Sequence, residues 1–61
     1  MTNKQMITQA RQQLNAGNKE AYIRVMTSHI RSAMSTKTIN AIITAVKEDG
    51  LLITFKQNGV I

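Results

Sequence analysis

Lys37, Asn40, Thr44 and Lys47 recur at intervals of three and four residues, which on an α-helix gathers them into a sector of roughly 80°. These side chains meet phosphates and base edges: asparagine bonds an adenine edge in two places, and lysine reaches guanine or phosphate. The types suit a helix lying in a major groove, although any solvated helix face is also polar. The charge of the whole chain favours the first reading. Lys and Arg number 8 against 3 acids, for a net charge of +5 and a pI near 10.3. The bases are spread along the chain at Lys4, Arg11, Lys19, Arg24, Arg31, Lys37, Lys47 and Lys56, whereas the acids are confined to Glu20 and the pair Glu48–Asp49. A small domain this basic commonly meets a polyanion, and nucleic acid is the expected partner.

Catalytic chemistry finds no constellation. No acid pair stands beside a base, no glycine loop would cradle a phosphate, and no nucleophile sits with a histidine. Glu48 and Asp49 are adjacent, so on a helix they point about 100° apart and read as a solvated helix end. His29 is the only histidine; with Glu20 nine positions earlier and no cysteine, it has no partner at metal spacing. A non-enzymatic protein without metal or cofactor is therefore expected. Tyr22 and Phe55 are the only aromatics, too few for the stacking platform that single-strand binders use, which favours duplex DNA.

The elements that carry these residues follow from periodicity and caps. With 61 residues the chain is one domain, 1–61, and a domain of this size buries only about 60% of its unfolded surface. Without cysteine, neither a disulfide nor a cysteine-ligated zinc site supplements the core, leaving helix packing or self-association. Thr2 and Gln5 have the spacing of a capping box, and Met6, Ile7, Ala10 and Leu14 recur behind them, so the first helix covers about residues 3–16. Gly17 suits a left-handed stop and Asn18 a cap for the next helix. From Lys19 to Met34, Tyr22, Met26, Ile30 and Ala33 form one apolar stripe; Thr27-Ser28 offer a break into two shorter helices. Met26 and Met34 are both expected in core packing, and Met1 and Met6 complete the four methionines.

Ser35 caps a third helix that ends at Gly50, with Ile39, Ile42, Ile43 and Val46 toward the core. Glu48 and Asp49 stand at its C-terminus, where the helix dipole disfavours them, so they are placed for solvation or for a partner. Leu51 to Lys56 has strand composition, and Asn58-Gly59 is the preferred pair for a tight type I′ turn into Val60 and Ile61. So short a return arm leaves open pairing with a second copy of the chain. The expected class is mostly α: three helices plus a short C-terminal β-hairpin.

This order of elements resembles the recognition helix and wing of winged helix-turn-helix proteins, over about residues 28–59. The residues that carry the resemblance are Ser35, Thr38-Ile39, the step Gly50-Leu51-Leu52-Ile53, and the Asn58-Gly59 turn. The resemblance implies a third helix docked in the major groove, with Ser35, Thr36, Lys37, Thr38 and Asn40 nearest the bases and Thr44 and Lys47 further along. It also implies a wing tip of Lys56, Gln57 and Asn58 on the flanking backbone and a phosphate contact from Arg31, joined on charge by Arg24. Ala33-Met34 replace the glycine that this family usually has in the turn before the recognition helix. The function implied is double-stranded DNA binding, as a small transcriptional regulator or architectural factor. The alternative is a protein-binding module, an inhibitor or adaptor using a helical face, and a homodimer is compatible with both.

No apolar run approaches the roughly 18–20 residues that a bilayer span needs. The opening Met1-Thr-Asn-Lys-Gln leads into a polar helix and not the apolar core of a signal peptide. No membrane association and a cytoplasmic location are the expectations.

Overall fold

The computed structural model describes residues 2–61, so Met1 lies outside it. It contains four helices and, among the described residues, no strand: α1 (Asn3–Asn15), α2 (Lys19–Ser32), α3 (Thr36–Glu48) and α4 (Leu52–Gln57). Each link between helices is three residues long, so successive helices fold back on one another.

Helix α1 starts where the capping box puts it. Thr2 Oγ1 accepts from the Gln5 N–H at 3.2 Å, and Gln5 Oε1 accepts from the Thr2 N–H at 2.9 Å. Asn18 holds the N-cap position of α2 without a side-chain capping bond. Helix α2 then runs unbroken through Thr27-Ser28. Tyr22 and Met26 are fully buried on its inner stripe, and that packing outweighs the weak local preference of two hydroxyl residues for a helix end.

The C-terminal segment overturns the expected hairpin, and with it the mostly α class with a β wing. Leu51 and Phe55, four positions apart, are buried, while Ile53, which a strand would turn to the same face, is 71% exposed. Asn58-Gly59 closes a helix and does not join strands. Gly59, at φ +76°, donates to the Lys56 carbonyl at 3.1 Å, and Val60 donates to the Phe55 carbonyl at 3.0 Å. Those two bonds make a Schellman closure, which requires the left-handed backbone that glycine adopts without a Cβ penalty. The same pair ends α3: Gly50 donates to Lys47 and Leu51 to Val46, both at 3.1 Å. The stop expected at Gly17 has this form too, with Gly17 bonded to Leu14 and Asn18 to Gln13. Lys56, Gln57 and Asn58 therefore lie at the exposed end of a short helix rather than at a wing tip. A dimer built by pairing terminal strands loses its element.

Helices α1 and α2 pack most extensively, α3 closes over both, and α4 folds against α3. The core they share is Ala10, Tyr22, Met26, Ile42, Ala45, Val46, Leu51 and Phe55. The rings of Tyr22 and Phe55 meet edge to face, with centroids 6.3 Å apart and planes at 88°, which ties α4 to α2. Burying Phe55 is worth about 2–3 kcal/mol, and the aromatic pair adds about 1 kcal/mol. On α3 the buried set is Ile42, Ala45 and Val46, and Ile39 and Ile43 are only half-buried. Met34 departs furthest from expectation. Helix α2 stops at Ser32, so the apolar stripe ends before Met34, which is 98% exposed in the link to α3.

Candidate nucleic-acid interface

Helix α3 presents Lys37, Asn40, Thr44 and Lys47 to solvent, opposite its buried Ile42, Ala45 and Val46. Thr36 is exposed at the head of the same helix. Lys37 and Lys47 are about 15 Å apart along the axis at 1.5 Å per residue. Two of the expected base-side residues are engaged elsewhere. Ser35 Oγ accepts from the Thr38 N–H at 3.2 Å and donates to Thr38 Oγ1 at 3.0 Å, so both hydroxyls belong to the cap of α3.

On α2, Arg24 and Arg31 are exposed two turns apart, about 10 Å along the axis. They line one shallow groove with Thr27, Ser28 and Ser32. A second shallow groove on α1 is lined by Lys4, Gln5, Thr8 and Gln9, mixing one cation with amide and hydroxyl groups. Ser32 Oγ donates to the Ser28 carbonyl at 2.9 Å, which turns that hydroxyl toward its own helix. His29 is half-buried nearby, and no group of three or more His, Cys, Asp or Glu side chains among the described residues is placed to hold a metal.

Asp49, at the end of α3, is not solvated as expected, which corrects the expectation for it, whereas Glu48 stays exposed. Arg11 reaches across from α1, its Nε donating to Asp49 Oδ2 at 3.0 Å and Oδ1 at 3.2 Å. Tyr22 of α2 donates its hydroxyl to Asp49 Oδ2 at 2.6 Å, and Arg11 Nη2 lies 3.5 Å from Glu48 Oε2. One carboxylate thus joins α1, α2 and the end of α3. Burial, reinforced by the hydrogen bond to Asp49, holds the Tyr22 phenol well above its ordinary range. The hydrogen bond to Asp49 likewise raises Arg11, which stays charged throughout. Residues 27 and 38 positions apart made this clamp hard to anticipate. Two signals pointed toward it: a buried tyrosine needs an acceptor, and acids at a helix C-terminus need a cation.

The clamp also sorts the surface charge. Arg11 and Asp49 offset each other, leaving seven exposed Lys and Arg against the exposed carboxylates of Glu20 and Glu48, a net of +5 on the rest of the surface. From Ala21 to Lys47, through the whole of α2 beyond its first turn and most of α3, there is no acid at all. Among the described residues only Arg11 forms ion pairs. No helix is long and apolar enough to cross a membrane.

No family model, no curated protein and no solved structure matches this chain.

Proposed function

We propose that this protein binds double-stranded DNA without catalysis, as a small transcriptional regulator or architectural factor. The observation that carries the reading is the segregation of charge: among the described residues seven exposed cations stand free of ion pairs, while Asp49 is held by Arg11 and the other two acids lie outside the stretch from Ala21 to Lys47. Thr36, Lys37, Asn40, Thr44 and Lys47 of α3 are the base-side candidates, and Arg24 and Arg31 of α2 the phosphate-side ones. The short α4 contributes core packing through Phe55 and takes no part in the reading as a wing.

Fluorescence anisotropy with a random-sequence duplex of about 25 base pairs tests this, at about 50 and 200 mM salt. Phosphate contacts release counterions, so affinity is expected to fall at least tenfold between the two salts. No binding at low salt by a folded sample would overturn the proposal. Tight binding to an acidic protein with little salt dependence would replace it with an adaptor or inhibitor role.

A further inference from the structure

We propose that Met34 is an apolar wedge that enters the stacked bases of a bound duplex and bends it; the inference rests on the duplex-binding reading and names what that surface does to its partner. Met34 is 98% exposed, the most exposed of the large apolar side chains, and stands at the elbow between α2 and α3. The elbow is a short, defined link. Ala33 is extended at φ −67°, ψ 132°, and Ser35 is extended at φ −138°, ψ 148° while its hydroxyl caps α3. Met34 is thus anchored on both sides by helices whose inner faces are in the core.

What covers it is argued from its surroundings. Arg31 lies three residues before it and Lys37 three residues after, both exposed, and the acid-free stretch from Ala21 to Lys47 runs through it. A protein partner would have to place a carboxylate-rich rim around a small apolar contact. A duplex offers the required pattern once a base step opens, with apolar base faces between two rows of phosphates. Methionine is among the side chains that wedge between base steps from the minor groove, so the elbow would face that groove. There the cost of unstacking is offset by the added contact of a bent duplex. Pyrimidine–purine steps open most easily, so a TA step is the expected point of entry.

The test uses the full chain and a duplex of about 25 base pairs carrying a fluorescence donor and acceptor at its ends, with a central TA or a central GC step. Wild-type protein is expected to raise energy transfer on the TA duplex and to bind it more tightly than the GC duplex. Met34→Ala leaves the core untouched, which circular dichroism verifies. It is expected to keep the salt slope set by the cations, lose the energy-transfer change, and bind the TA duplex about tenfold more weakly. Arg24→Ala, at a phosphate-side candidate, is the contrasting variant, expected to lower the salt slope by about one while retaining the bend. Wild-type binding without bending, or bending unchanged in Met34→Ala, overturns the wedge and leaves duplex binding standing. Failure of wild type to bind either duplex at low salt overturns both.

Discussion

Asp49→Ala removes the one carboxylate that three helices share, and its cost can be worked from the contacts. The Tyr22 hydroxyl, 2.6 Å from Asp49, would be left buried without an acceptor, a loss of about 1–3 kcal/mol. The Arg11–Asp49 pair has side chains 37% and 16% exposed, so solvent screening limits it to about 1 kcal/mol. Against these, taking a negative charge from the C-terminus of α3 returns a few tenths of a kcal/mol. The sum is a destabilisation of about 2–4 kcal/mol. A domain of this length has about 3–9 kcal/mol in total, so the variant is expected to be partly unfolded near room temperature or to melt more than about 10 °C lower. Urea and thermal unfolding followed by circular dichroism measure this. Asp49→Asn keeps an acceptor for the tyrosine while dropping the charge, and should lose only about 1 kcal/mol. If Asp49→Ala unfolds within about 0.5 kcal/mol of wild type, Asp49 is a solvated helix end after all and the clamp reasoning fails.

Tyr22 is the only tyrosine and there is no tryptophan, so absorbance near 295 nm reports its ionisation alone. Its folded pKa is raised, so the stabilisation is fully present below the unfolded value of about 10 and is lost as pH climbs toward the folded one. Tyrosinate should therefore appear together with unfolding, and an ordinary titration near pH 10 with circular dichroism unchanged would contradict the buried bond. Gly59→Ala forces a side chain into the φ +76° closure of α4 and should destabilise by about 1–2 kcal/mol in thermal melts, and an unchanged melt would contradict the left-handed closure. On DNA, Asn40→Ala should cost about 1–3 kcal/mol on a preferred site and little on random duplex. Arg31→Ala should weaken both alike and lower the salt slope by about one, and equal losses for the two variants on both duplexes would refute the division of roles.

Helices α1 to α3 were legible because each is long enough for its apolar period to repeat and each begins after a residue of a type that favours the N-cap. Helix α4 was not, since six residues that open Leu, Ile, Thr and Phe satisfy a strand as readily as a helix turn. Asn58-Gly59 compounded the ambiguity, because a left-handed glycine serves both a tight hairpin and a helix closure. The polar face of α3 was readable from spacing alone. Which of its hydroxyls remain available was not, because the Ser35–Thr38 bond depends on rotamers. The Arg11–Tyr22–Asp49 clamp and the exposure of Met34 lay beyond reach for a common reason: both depend on where helices end and meet, not on the residues next to them.

The three-residue links and their shared helix closures bear on how quickly the chain finds its structure. The C-terminal ends of α1, α3 and α4 each close on two local hydrogen bonds, from a left-handed glycine and from the residue after it. A helical chain with such short connections has low contact order and belongs with domains that fold in microseconds to milliseconds. The Arg11–Asp49 bond spans 38 positions, so it is expected among the last to close. Loosening it should therefore leave the refolding arm of a chevron plot in place and steepen the escape from the native state, so that the clamp governs the lifetime of the fold more than the speed of its arrival.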